Sequence, residues 1–177
     1  MSGKATPEFS VTIKLSELGS LPSASAISAD AEQCAELATR FGLPKISSLK
    51  ADYRLEAQND RIVFSGRLQS DLMQICAISG QGFQASIKEN FEIIFVEKYE
   101  YMVEDDEIEL ASEDCDVMVY EGGQIDVGEA VAQTLYLALD PYPRGPNAEQ
   151  IARDKGLKTE EEAGPFGVLA ALKDKLG

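Results

Sequence analysis

The side chains with the widest chemical reach are few in this chain, and one kind is missing. Among 177 residues there is no histidine, which removes Ser-His-Asp and Cys-His catalysis and histidine-held metals. Cys34, Cys76 and Cys115 lie far apart, so they form neither a disulfide framework nor a zinc-ligand spacing. Carboxylates remain. Glu89 interrupts a run of apolar residues of one parity, Phe83 to Phe95. A buried functional carboxylate is the sharper reading; a bulge, or the point where a strand leaves the core, is the plainer one. Asp126 stands where a helix N-cap belongs, with Glu129 three residues on in the reciprocal position of a capping box. Capping accounts for Asp126 without catalysis. No residue is assigned a catalytic role, the chain reads as a non-enzyme, and no cofactor or metal is expected.

Clustered acids raise a metal hypothesis of their own. Residues 97–121 hold eleven acidic side chains and one lysine. An EF-hand needs a defined twelve-residue loop with a central glycine, which this spacing does not match. Charge repulsion and desolvation favour a solvated, exposed loop that can engage a basic partner. The formal net charge of −15 points the same way. It argues for a soluble protein and against DNA partners or an anionic-membrane coat, since both need excess Lys and Arg. No run approaches the roughly 18 apolar residues of a membrane span, and MSGKATPEFS lacks the apolar core of a signal peptide. A cytoplasmic location is expected.

The candidate recognition residues follow a helix. Residues 126–139 carry an apolar stripe of Val127, Ala130, Val131, Leu135, Ala138 and Leu139. Pro141 stops that helix. Local folding needs one proline there, yet Pro141, Pro143 and Pro146 leave a stiff exit. Such a segment carries little ordering cost on binding, so Asp140, Tyr142 and Arg144 are read as partner-binding.

The other elements position this stretch. Phe9, Val11, Ile13 and Leu15 alternate as in a half-buried strand. Residues 21–28 can form a second, weak strand. Asp30 and Gln33 make a capping box for a helix over 30–41, striped by Cys34, Leu37, Ala38 and Phe41 and ended by Gly42. Cys34 is thus a core residue. A meander follows: a strand from Leu49 to Ala57, a turn at Asn59-Asp60, a returning strand to about Cys76, a turn at Gly80-Gln81-Gly82, and a strand from Phe83. Gly66 marks a bulge or bend. Val117–Tyr120 can pair briefly. The fold class is therefore α+β: a twisted, antiparallel sheet of five or six strands, free to curl into a partial barrel, with two packed helices. Residues 1–146 form one domain containing the acidic loop. Residues 147–177 are a polar linker and a short C-terminal amphipathic helix on Phe166, Leu169, Leu172 and Leu176. That helix either docks on its own sheet or inserts through Phe166 and Leu169 into a partner's groove.

Three segments in this order, QSDLMQICAISGQGFQASIKENFEIIFV, QIDVGEAVAQTLYLALDPYPRGP and GPFGVLAALKDKL, resemble the YceD family of bacterial proteins and their plastid relatives. The resemblance covers most of residues 8–176. It implies a non-enzymatic factor needed for accumulation of large-subunit (23S) ribosomal RNA, with ribosome-assembly proteins or pre-ribosomal particles as partners. Many members carry C-x-x-C before the first turn, suggestive of metal or redox chemistry. This chain has Cys76-Ala77-Ile78-Ser79. One thiol makes no local disulfide and serine is a poor zinc ligand, so packing or turn geometry is the reading of Cys76. Local contact with RNA would need a basic face. Arg54, Arg61 and Arg67, on neighbouring strands, can share one and bind RNA weakly; salt-bridging with the many acids is the plainer alternative.

Overall fold

The computed structural model of the chain describes residues 7–20, 22, 24–59, 61–98 and 116–156. The order of elements is β1 (Thr12–Lys14), a 3-10 turn (Leu15–Ser20), β2 (Ser25–Ser28), α1 (Ala31–Phe41), β3 (Lys45–Gln58), β4 (Arg61–Ile75), β5 (Gly82–Glu97), β6 (Asp116–Tyr120), β7 (Gln124–Asp126), α2 (Val127–Leu137) and α3 (Ala148–Asp154). By their own contacts these residues fall into two units. Met1–Met73 with Gln84–Asp140 make one, and Gln74–Phe83 with Pro141–Gly177 make the other, each taken over its described residues.

The larger unit is α+β. Five strands run in the order β2-β3-β4-β5-β6, and β1 pairs β7 in a separate two-stranded sheet. The large sheet is mixed, because β6 joins β5 in parallel, and it is not closed into a barrel. β3 and β4 form the long antiparallel pair, from Lys45↔Met73 to Gln58↔Arg61. Asn59 turns the chain between them with φ of 53°, a left-handed conformation that asparagine tolerates.

One register shift lies between Ile46 and Ser48. It lets Ile46 and Leu49, three residues apart, both face the core (4% and 1% exposed), against the strict two-residue period of a strand. No such shift occurs at Gly66 in this pair: Tyr53↔Gly66 sits in an unbroken register. What the missing side chain permits here is a close approach. A Cβ on Gly66 would collide with the main-chain oxygen of Asp52 and lie 2.9 Å from Cζ of Phe91, so the site admits only a hydrogen.

The core of this unit forms where the sheet meets the two helices. Phe64 is fully buried at its centre, with ring centroids of Tyr53, Phe91 and Phe95 at 5.3, 4.8 and 6.0 Å. Burying one such ring contributes about 2–3 kcal/mol. From α1 come Cys34, Leu37 and Ala38; from α2 come Val127, Ala130, Val131 and Leu135. Asp30 and Gln33 complete the reciprocal capping box of α1, and Gly42 ends it at φ of 67°.

The cap of α2 differs from its expectation. Asp126 Oδ1 accepts from the N–H of Glu129 at 3.0 Å, but the Glu129 carboxylate does not reach back. It forms a forked pair with Arg40 of α1, at 2.7 and 2.9 Å, and Arg40 also meets Glu8 at 3.0 Å. Beside the guanidinium, the Glu129 carboxyl sits below its ordinary range. Asp126 instead clasps the N-terminal chain: its Oδ1 accepts from Val11 N–H at 2.9 Å and its Oδ2 from the Ser10 hydroxyl at 2.6 Å. With its carboxylate taking three hydrogen bonds, Asp126 is a cap and a clasp rather than a free base. The N-terminal strand is shorter than its alternation suggests, since Leu15 already enters the 3-10 turn.

Candidate partner-binding site

The smaller unit is built around the turn after β4. Cys76 closes it with both main-chain groups: its N–H donates to Gln81 O and its carbonyl accepts from Gly80 N–H, each at 2.8 Å. Gly80 adopts φ of 72°, which a tight reversal here requires. The Cys76 side chain is 2% exposed. Its sulfur receives hydrogen bonds from the Ser79 hydroxyl and from the main chain at Gly145, Ser79 and Ile78, which hold the thiol at about 6, below its usual value. Turn closure and packing are therefore the structural role of Cys76, and Ser79 is its hydrogen-bond donor. Among the described residues, no group of three or more acids and cysteines is arranged to hold a metal ion.

This turn braces the proline-rich exit. The N–H of Ala77 donates to Pro143 O at 2.8 Å. Gly145 lies so close that a Cβ there would sit 3.3 Å from the Phe83 ring and 3.5 Å from Cβ of Cys76. Its carbonyl then accepts from Ala148 N–H at 3.0 Å, at the start of α3. From α3, Lys155 reaches the carbonyl of Ile78 at 3.3 Å. Pro143 and Gly145 are thus the anchored positions, and the side chains around them point outward. Tyr142 is 76% exposed and Arg144 is also exposed. An aromatic ring and a guanidinium on a main chain already fixed can meet a partner with little further ordering.

The other expected positions are distributed differently. Asp140 is exposed but belongs to the larger unit. Phe166 and Leu169 lie outside the described residues, as do most of the acidic loop and the C-terminal helix. Arg54, Arg61 and Arg67 do share the outer face of β3 and β4, as the register Arg54↔Ser65, Asp52↔Arg67 and Gln58↔Arg61 requires. Acids interleave with them: Asp52 stands directly opposite Arg67, and Glu56 lies between Arg54 and Gln58 on the same face. Opposed charges at this spacing favour each other, so the face is mixed rather than basic. Glu89 is exposed, which overturns its reading as a buried carboxylate and leaves the plainer one. The bracing of the exit by the Cys76 turn has no local signal in the sequence. Only the small residue Gly145, set between two prolines, hints at a close approach.

The family model for "Large ribosomal RNA subunit accumulation protein YceD" matches residues 64–173, which includes both the turn and the exit. No curated protein and no solved structure matches the chain. None of the described helices is long and apolar enough to cross a membrane.

Proposed function

The chain belongs to the YceD family, and from that premise we propose that it supports accumulation of large-subunit ribosomal RNA. In this proposal it acts in the cytoplasm, without catalysing a reaction, by contact with ribosome-assembly proteins or pre-ribosomal particles. The observation that carries the proposal is the family match across residues 64–173. The net charge of −15 favours protein contact over a broad RNA footprint, because binding bare RNA grows with the number of phosphates neutralised. The interleaved acids on the outer sheet face support the same choice. Tyr142 and Arg144, on the braced exit, are the residues assigned to partner capture.

A second reading is favoured by the acid-rich stretch 97–121. In it the chain is an adaptor that holds a basic protein, such as a ribosomal protein, without touching RNA. Crosslinking in cells that records both protein and RNA contacts tests the proposal and separates the two. The proposal expects proteins of large-subunit assembly among the partners. A set of partners containing none of them would sink it, and basic proteins recovered outside such particles would favour the adaptor.

A further inference from the structure

Prolines alone do not account for the stiffness of the exit. Pro143 restricts the backbone of Tyr142 before it, but Arg144 is followed by Gly145, the residue type with the widest backbone freedom. A glycine beside the guanidinium raises the cost of ordering it on binding. Backbone geometry does not ask for glycine here, because Gly145 is not among the glycines with positive φ. Space does: a Cβ would meet the Phe83 ring at 3.3 Å and Cβ of Cys76 at 3.5 Å.

That close approach is joined by hydrogen bonds on the same stretch. Ala77 N–H donates to Pro143 O at 2.8 Å, and Gly145 O accepts from Ala148 N–H at 3.0 Å. The main chain at Gly145 also donates to the Cys76 sulfur. Exposure alternates accordingly: Pro143 and Gly145 are half-buried, whereas Tyr142, Arg144 and Pro146 are exposed. The freedom that the glycine brings is taken up by the Cys76 turn, which keeps the two outward side chains in a fixed relation.

We propose that Gly145, Phe83 and the Ala77 amide are positioning groups of the partner site, which act through the exit by presenting Tyr142 and Arg144 as one preset pair. Capture then depends on the turn as much as on the two side chains, because a loose exit pays its ordering cost at binding. This inference rests on the reading of the exit as the site and adds the residues that preset it.

The test uses the full chain and two readouts: hydrogen exchange of the Ala77 amide, and the ratio of mature large- to small-subunit ribosomal RNA in depleted cells supplied with each variant at equal abundance. Gly145→Val drives its methyls into the Phe83 ring and lifts the exit. Ala77 exchange is expected to quicken about tenfold or more, and the ratio to be restored no better than by Tyr142→Ala, Arg144→Ala. Adding Phe83→Ala to Gly145→Val gives the valine the room of the ring. Exchange should slow again and the ratio recover, although one more packed side chain is lost; a merely structural role would make this double variant worse. Gly145→Ala, with a single methyl at the ring, should fall between parent and valine, which keeps the test decisive if Gly145→Val folds poorly. Quickened Ala77 exchange with a parental ratio would overturn the proposal, as would a double variant that restores the ratio less than Gly145→Val alone. In either case a loss with Tyr142→Ala, Arg144→Ala would leave the exit as the site, whereas full restoration by that variant would remove the site and its positioning together.

Discussion

The main-chain N–H of Ala77 donates to the carbonyl oxygen of Pro143 at 2.8 Å. This bond fixes the exit at its middle proline and leaves Tyr142 and Arg144 to project on either side. A double Tyr142→Ala, Arg144→Ala variant removes two exposed side chains and leaves the main-chain bond between Ala77 and Pro143 in place. Its melting temperature is expected to stay within about 2 °C of the parent, while recovery of crosslinked protein partners falls. Unfolding at clearly lower temperature would mean that this segment holds the structure together instead of binding partners.

Cys76 makes a pH prediction that the absence of histidine keeps clean. Hydrogen bonds from Ser79 and the main chain hold its folded thiol at about 6, below the ordinary 9.0. The unfolded chain therefore binds the extra proton between these values, and stability is expected to rise with pH across that window and to be lost as pH falls through about 6. Burial moves Cys34 the other way, so it adds no competing transition there. Thiolate absorbance in the native protein should show a transition near the lower value that Cys76→Ser abolishes. A native titration with no such step would remove this account of the turn.

Gly66→Ala is expected to destabilise the larger unit by about 2–4 kcal/mol, read from the urea midpoint. The added methyl meets the main-chain oxygen of Asp52 and the Cα of Tyr53 as well as the ring of Phe91. Shrinking Phe91 to leucine should therefore not rescue it. A near-neutral Gly66→Ala would show that the strands can part at this point.

The Arg40–Glu129 pair links the end of α1 to the start of α2. Because the guanidinium lowers the Glu129 carboxyl, the stability it supplies is present above the ordinary carboxylate value and lost as pH falls through the lower folded one. Glu129→Gln is expected to cost about 1 kcal/mol at neutral pH and progressively less on acidification, measured by chemical unfolding at several pH values. A cost that does not change with pH would assign the effect to packing.

Local signals were legible in proportion to how local their physics is. Asp30 with Gln33, Gly42, Asn59 and the alternation of Ile62, Phe64 and Leu68 all report on neighbours a few residues away, and each stands where the sequence places it. Tyr142 and Arg144 were legible as exposed because three prolines exclude regular structure around them. The long-range partners left no such mark. Glu129 could be read only as the second half of a capping box, since Arg40 is 89 residues distant. Ile125 pairs with Ile13, and β6 with β5 in parallel, through crossings that periodicity does not encode. Gly66 was visible as unusual, but a bulge and a close approach demand the same missing side chain.

The most direct test is the ratio of mature large- to small-subunit ribosomal RNA in cells depleted of this chain and supplied again with either the parent or the Tyr142→Ala, Arg144→Ala variant at equal abundance. Depletion should lower the ratio, the parent should restore it, and the variant should not. An unchanged ratio on depletion would contradict the proposed function, and full restoration by the variant would contradict the exit as its site.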